Sequence, residues 1–174
     1  MKKLRFLVSL TTRDNDYQLE QAAAAQEASR RLGADLEILY ADNDAITQST
    51  QILKAVQAAP EMRPDAIVFE PVGATSLPQV ARTAVSAGIS WAVLNREAEY
   101  LSELRRTSRI PIFSISSDHK EIGKIQGQQF GALLPRGGSI LYIQGPSENS
   151  AAKDRTAGMH STLPANIQVT ALRG

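Results

Sequence analysis

Trp91-Ala-Val-Leu-Asn-Arg96 is the stretch of sequence that decides the fold. Four apolar residues lead directly into an amide and a guanidinium side chain. Continuous apolar runs of this length are typical of strands that are buried on both faces of a parallel sheet. Ligands of such sheets bind at the carboxyl ends of the strands. The stretch therefore predicts a buried strand that delivers Asn95 and Arg96 to a binding cleft.

Apolar runs like this one recur along the chain and alternate with helical patterns. In the segments between the runs, apolar residues recur at helical spacing, and glycine or proline follows each segment. Strands that alternate with single helices at intervals of ~30 residues build right-handed βαβ units and a parallel sheet. Strands are predicted at residues 4–10, 36–40, 66–69, 91–94 and 110–115, and helices at about 17–32, 44–59 and 76–87.

Local signals refine two boundaries of this predicted sheet. Ser76 and Gln79 have the spacing of a capping box and predict the start of the helix before the fourth strand. Residues 97–110 form a long polar connection with room for a helical turn. The strand that follows is predicted at an edge of the sheet if Pro111, which lacks a backbone N–H, lies inside it.

A second set of elements follows residue 116. Asp118 and Glu121 have the spacing of a capping box for a helix that runs to about residue 134. Gly123, Gly127 and Gly131 recur on one face of this helix and predict its close packing on a sheet. The remaining predicted elements are strands at 139–143 and 167–172 and a helix at 150–163.

Composition narrows the classes of function. The hydrophobic fraction of 43% and the charged fraction of 21% are ordinary for a globular protein. A net charge of +1 argues against a nucleic-acid partner, and the absence of cysteine excludes disulfides and thiolate chemistry. No stretch approaches the ~20 apolar residues of a membrane span. The apolar run at residues 4–10 is interrupted by Arg5 and is interpreted as a strand, without a visible signal peptide.

Catalytic and metal-binding motifs are missing from the sequence. His119 and His160 have no ligand-spaced partners and are interpreted as surface or capping residues. No phosphate-binding loop, nucleophile elbow or dinucleotide fingerprint is present. The segment 145–150 follows a predicted strand and opens a helix, but it lacks the lysine of a phosphate loop. The sequence therefore predicts no catalytic residue, no metal site and no cofactor.

Polar and aromatic residues lie near the ends of several predicted strands. Asn15 and Tyr17 follow the first strand, Asn95 and Arg96 follow the fourth, and Arg155 lies in the helix after the sixth. Arginine offers a planar fork of donors to a polyol or carboxylate, and an aromatic ring can cover the apolar side of a sugar. Taken singly, each residue is better interpreted as an ordinary surface residue or a helix cap.

Five segments also carry the motifs of a known family. Asp14-Asn-Asp-Tyr-Gln18, Phe69-Glu-Pro-Val72, the run 87–96, Ser117-Asp118 with the glycines after it, and the run 144–155 match its successive motifs. The chain resembles the type I periplasmic binding proteins, in particular the ribose-like sugar-binding branch that serves ABC importers. The resemblance covers essentially the whole chain, and the run that ends in Arg155 is its most specific motif.

The resemblance implies a fold and a function. It implies an α/β protein with a flavodoxin-like three-layer lobe at residues 1–116 and a second lobe that begins at 117 and is incomplete. The two lobes close on a sugar or sugar-like polyhydroxylated molecule by a hinge near Ser117 and Asp118. An ABC permease is the implied partner, and the periplasm is the implied location. The implied ligand contacts come from Asn15, Tyr17, Asn95, Arg96 and Arg155.

The chain departs from the family's pattern in three places. Asn95 replaces an aspartate, which exchanges two charged acceptors for one neutral acceptor and a donor. Gln18 stands where a second aromatic residue helps to sandwich the sugar. The family's chain also continues for roughly a hundred residues beyond this one. We therefore expect residues 136–174 to be under-packed, with an apolar surface that is exposed or that supports self-association.

Two other functions remain open at this point. The same fold serves as the ligand-sensing part of LacI-type repressors and sensor kinases, so a regulator without its output domain is the main alternative. A small flavodoxin-like enzyme is the third hypothesis. It is disfavoured because the sequence lacks a phosphate loop and a catalytic base.

Overall fold

Strands and helices alternate along the whole of the computed structural model, which describes residues 3–73, 77–96, 98–145, 147 and 149–173. The chain divides into two compact units, Met1–Ile115 (unit 1) and Ser116–Gly174 (unit 2). The elements of unit 1 are β1 (Arg5–Leu10), α1 (Asp16–Leu32), β2 (Asp35–Tyr40), α2 (Ala45–Gln57), β3 (Ala66–Phe69), α3 (Pro78–Ser86), β4 (Ser90–Leu94), α4 (Tyr100–Thr107) and β5 (Ile112–Ile115). The elements of unit 2 are α5 (His119–Leu133), β6 (Gly138–Gln144), α6 (Ser150–Thr162) and β7 (Ile167–Arg173).

Unit 1 is built on a parallel sheet. In the described part of the chain this sheet has five strands in the order β2-β1-β3-β4-β5. The predicted α/β class and parallel sheet are thereby confirmed. β4, which contains the apolar run from Trp91 to Leu94, lies between β3 and β5. Trp91 is in register with Ile67 and Ile112. β5 lies at an edge of the sheet, and Pro111 immediately precedes it, so the proline is not inside the strand as the prediction required.

The main core lies on the face of the sheet that α2, α3 and α4 cover. Trp91 and Phe69 are fully buried there, and their ring centroids are 4.8 Å apart in a tilted arrangement. The Trp91 Nε1–H donates a hydrogen bond of 3.1 Å to the Tyr100 hydroxyl at the start of α4. This bond satisfies the polar end of a buried indole, which explains how β4 can carry a tryptophan in its centre.

Tyr100 gives this core a dependence on alkaline pH. Burial raises the pKa of Tyr100 from its usual value near 10 to about 12. Between these two values the folded protein keeps a proton that the unfolded chain releases, so stability is lost as the pH rises. We expect the free energy of unfolding to fall by ~1.4 kcal/mol per pH unit in this window.

Urea unfolding followed by circular dichroism at pH 9 and pH 11 measures this effect. Tyr100→Phe is the control, because it removes the titrating group and leaves the ring in place. The wild type should lose about 1.4 kcal/mol more than Tyr100→Phe between the two pH values. Equal losses in the two proteins would show that Tyr100 titrates normally.

The opposite face of the sheet is less well covered. Among the described residues, the buried cluster on this side consists of Val8, Leu10 and Ala22. Ala22 belongs to α1, the helix that covers this face. Phe113 and Ile115 on β5 are 42% and 61% exposed. The expected excess of exposed apolar surface is thus not confined to the carboxyl-terminal part of the chain.

α3 begins at Pro78, with Leu77 in the cap position at a φ of 53° and no side-chain cap. The predicted Ser76–Gln79 capping box includes Ser76, which lies outside the described residues. α4 is a two-turn helix inside the predicted polar connection, where a helical turn was expected. Leu101 and Leu104 are buried on one side of it, and this short apolar spacing is easily missed in a charged segment.

Unit 2 packs two helices closely together. A Cβ atom at Gly123 would collide with the backbone of Arg155, and one at Gly127 would collide with Met159 and Thr162. From α6, Gly158 makes the reciprocal approach to α5. The glycine spacing therefore marks helix-to-helix packing, and the predicted packing against a sheet is wrong.

The sheet of unit 2 is small and has a bare face. Among the residues described, its strands β6 and β7 form one parallel pair. Leu141, Ile143 and Leu172 lie on one face of the pair and are 60%, 69% and 52% exposed. This exposure agrees with the expected under-packing of residues 136–174.

Candidate functional site

The carboxyl ends of β1, β3 and β4 lie side by side in unit 1. The register places Ser9 beside Phe69 and Phe69 beside Val93. The residues that follow these positions therefore emerge at one edge of the sheet. This edge is where ligands bind in parallel α/β proteins.

Glu70, the first residue after β3, is the centre of this edge. Its side chain is buried with 5% exposure. Among the described residues, three side-chain amides donate to it. Gln18 and Gln21 reach Oε2 at 2.7 and 2.8 Å, and Asn95 reaches Oε1 at 3.2 Å. Hydrogen bonds to both oxygens satisfy a buried carboxylate that would otherwise be costly to desolvate.

Gln18 connects Glu70 to the loop after β1. Its Oε1 accepts a hydrogen bond of 2.9 Å from the Thr11 backbone N–H, and its Nε2 donates to Glu70. Gln18 is only 2% exposed. Gln18 therefore serves an internal hydrogen-bond network.

Gln48 on α2 fixes the loop after β3. This residue is fully buried. Its Nε2 donates to the Glu70 carbonyl oxygen at 2.8 Å and to Ser9 Oγ at 3.2 Å. Its Oε1 accepts from the Val72 N–H at 2.9 Å. One amide side chain thereby ties the ends of β1 and β3 together.

Asn95 turns the chain sharply at the end of β4. Its φ of 59° lies in the left-handed region, which asparagine tolerates better than most residues. Its backbone N–H donates to the Ile115 carbonyl at 2.7 Å, so the turn is anchored to β5. Its Nδ2 faces Glu70. The amide is therefore held at both its backbone and its side chain.

Arg96 lies half-buried beside these groups. Its Nη1 donates a hydrogen bond of 2.6 Å to the Gly73 carbonyl oxygen in the loop after β3. Burial lowers the pKa of Arg96, and the nearby negative charge of Glu70 acts in the opposite direction. The guanidinium thus provides a cation next to a carboxylate that is turned inward.

Asn15 and Tyr17 begin α1 at the same edge. Asn15 is exposed, and its Oδ1 accepts a hydrogen bond of 2.9 Å from the Gln18 N–H as the N-cap of the helix. Tyr17 is 55% exposed. The ordinary interpretation of Asn15 as a helix cap is correct, and it does not prevent the same oxygen from meeting a ligand, because a carbonyl oxygen has two lone pairs.

Arg155 belongs to unit 2, where His119 supports it. The Arg155 Nε–H donates to His119 Nδ1 at 3.2 Å, and His119 is 6% exposed. The prediction of a surface or capping histidine is wrong, since Asp118 caps α5 by accepting from the Glu121 N–H at 2.9 Å. Asp118 is thereby confirmed as the N-cap of α5. An imidazole nitrogen accepts a hydrogen bond only through its lone pair, so this bond requires that Nδ1 carries no proton.

Sequence reasoning missed Glu70 and His119 as members of these clusters. Glu70 follows a short apolar strand directly, and a carboxylate in that position is a signal that could have been used. His119 follows a cap residue and gave no such signal.

In the described ranges, no group of three or more histidine, aspartate or glutamate side chains could hold a metal ion. Nor is any helix of the described chain long and apolar enough to cross a lipid bilayer.

Comparison with known proteins assigns this chain to a family. The periplasmic binding protein domain family matches residues 6–173. The chain belongs to the periplasmic binding protein family. The resemblance recognised from the five sequence motifs is thereby confirmed, and the family is one of binding proteins.

Individual members of the periplasmic binding protein family agree with this assignment. A putative rhizopine-binding protein of Rhizobium meliloti is 30% identical over 131 residues, which are 75% of this chain and 40% of the relative. A D-apiose import binding protein of Paraburkholderia graminis is 24% identical over 86% of this chain and 45% of the relative. An ABC transporter periplasmic solute binding protein of Actinobacillus succinogenes, solved with D-allose, superposes with a TM-score of 0.84 at 15% identity, over 98% of this chain and 59% of that one. The chain thus spans about half the length of these family members.

Proposed function

We propose that this chain binds a sugar or sugar-like polyhydroxylated molecule without acting on it chemically. Asn15, Tyr17, Asn95 and Arg96 of unit 1 and Arg155 of unit 2 make the proposed contacts. The observation that carries this proposal is the placement of Asn95 and Arg96 at the carboxyl edge of the sheet, anchored by a buried network. Such anchoring reduces the entropy that these side chains lose when a ligand binds.

The chemistry of these residues suits a polyol. A sugar hydroxyl both donates and accepts, and the amides and guanidinium groups supply both kinds of partner. Arg96 and Arg155 provide fixed forks of donors, and the exposed ring of Tyr17 can cover the apolar face of a sugar. The names of the relatives, which include a D-apiose import protein and a rhizopine-binding protein, support this class of ligand.

Import through an ABC permease is the proposed physiological role, with the periplasm as its location. Ligand binding would favour a closed arrangement through rotation at Ser117 and Asp118, and a permease would recognise that arrangement. The relatives compared above are named as binding or import proteins, which favours this role over that of a regulator.

Self-association through the bare face of β6 and β7 is a second proposed partner interaction. Sedimentation over a range of protein concentrations tests it.

Titration calorimetry with D-apiose, D-allose and myo-inositol tests the proposed function. We expect at least one of them to bind with a dissociation constant below about 100 μM, which corresponds to more than ~5 kcal/mol of binding free energy. Circular dichroism on the same samples establishes that the protein is folded. Folded protein that gives no heat with these or related polyols would contradict sugar binding by this chain.

A further inference from the structure

The most informative feature outside the predicted contacts is the pairing of Glu70 with Asn95. We propose that Glu70 is a positioning residue that carries the negative charge of this site and holds the side-chain amide of Asn95 in one orientation. In that orientation the Nδ2 of Asn95 faces Glu70, and its carbonyl oxygen has two lone pairs, so a ligand hydroxyl can be one of its donors. The inference concerns the same site as the proposed function, and the role of Asn95 towards a ligand rests on it.

The orientation of the amide follows from what a carboxylate can do. An ionised carboxylate only accepts hydrogen bonds, so the group that faces it must be a donor. At 3.2 Å from Glu70 Oε1, Asn95 must therefore present its Nδ2. The reverse orientation would place two oxygens with partial or full negative charge against each other in a buried setting, where such repulsion is poorly screened.

Glu70 cannot turn away from Asn95 without losing other bonds. Its second oxygen accepts from both Gln18 and Gln21. Gln18 in turn is fixed by the Thr11 N–H. The carboxylate is thus held from two sides, and its position determines the orientation of the amide rather than the reverse.

The pairing places the negative charge on a neighbouring strand. The charge lies at the end of β3, on Glu70, close enough to Arg96 to favour its protonated form. Position 95 at the end of β4 is neutral and carries an acceptor oxygen.

This arrangement predicts that an aspartate introduced at position 95 alone is harmful. Asn95→Asp sets two carboxylates side by side and removes the donor that Glu70 Oε1 requires. Glu70→Gln brings an N–H towards the N–H of Asn95 and removes the charge next to Arg96. The two changes together are compatible. The amide oxygen introduced at position 70 accepts from Gln18 and Gln21, and its nitrogen donates to the carboxylate introduced at position 95.

A double-mutant cycle on the full chain tests the proposal. The wild type, Asn95→Asp, Glu70→Gln and the double variant are unfolded in urea without ligand, and the fluorescence of Trp91 is followed. Trp91 is the sole tryptophan of the sequence and is fully buried in unit 1, so its emission reports this unit. Both single variants should have lower unfolding midpoints than the wild type, and the double variant should recover most of the loss.

A matched control separates the pairing from net charge. Glu20 is an exposed carboxylate on α1, so Glu20→Gln combined with Asn95→Asp conserves the charge without restoring the pair. This control should remain as unstable as Asn95→Asp alone. Recovery by the control, or a wild-type midpoint for Asn95→Asp, would overturn the proposal.

Affinity for D-allose and myo-inositol is measured on the same proteins. We expect each single variant to bind at least about tenfold more weakly than the wild type, and the double variant to recover within about threefold. Affinities that are equal in all four proteins would overturn the orienting role of Glu70 towards the ligand. Stability coupling without binding by any of the proteins supports the Glu70–Asn95 pairing and contradicts the proposed function instead.

Discussion

Gly158→Ala is expected to destabilise unit 2 by about 3 kcal/mol, near the upper end of the cost of overpacking. A Cβ atom at this position would collide with the Lys120 carbonyl oxygen and would lie 2.9 Å from the Lys124 nitrogen and 3.0 Å from the Gly123 Cα. These are backbone atoms, which cannot move aside as a flexible side chain can. Unit 2 is small, so a loss of this size should expose much of it to solvent.

Hydrogen exchange followed by mass spectrometry measures the effect unit by unit. Amides of α5 and α6 should lose protection, while those of β1 to β5 should not. Gly131→Ala is the matched control, because it adds the same methyl group and the same gain in helix propensity, about 1 kcal/mol. Among the described residues, its Cβ atom would meet the Pro164 ring, at 2.9 Å, and no backbone atom. Equal loss of protection in both variants would show that the close approach of α5 and α6 is not the cause.

Arg96→Met is expected to weaken the proposed binding of a polyol by at least about 100-fold. The guanidinium is a charged donor in a half-buried setting, and hydrogen bonds of this kind contribute about 1.5–3 kcal/mol each. The variant also leaves the charge of Glu70 without its neighbouring cation. Methionine preserves the length and the apolar stem of the side chain, so the change acts mainly on charge and hydrogen bonding.

Calorimetry with whichever polyol binds the wild type measures this loss. Arg106→Met on α4 removes an exposed arginine from the same unit and should bind as the wild type does. Arg96→Lys keeps the positive charge but loses the planar set of donors, so its affinity should lie between those of Arg96→Met and Arg106→Met. Binding by Arg96→Met within a few-fold of the wild type would remove Arg96 from the proposed site.

The parts of the fold that local pattern determines could be predicted well. β4 could be recognised from its own residues, because an apolar run of this kind between helical patterns has few alternatives. The left-handed Gly33 at the end of α1 and the Asp118 cap of α5 are equally local, since a single residue type satisfies each backbone requirement.

The features that were not predicted depend on contacts between residues that are distant in the sequence. Glu70 is buried because Gln18, 52 residues earlier, and Asn95, 25 residues later, complete its hydrogen bonds. The sequence around residue 70 does not indicate which residues form these hydrogen bonds. The glycines of α5 show that something approaches closely, but only the structure identifies α6 as the element that does. Likewise His119 is buried through Arg155, 36 residues away.

The order of strands in unit 1 has a consequence for how the chain acquires its structure during synthesis. After β1 and β2 have paired, β3 adds beside β1, β4 adds beside β3, and β5 adds beside β4. Each strand that leaves the ribosome after β2 therefore finds its neighbour already in place, and none must insert between two formed strands. Unit 1 can grow in one direction at the pace of translation, which shortens the time for which the apolar edge of each new strand is open to aggregation.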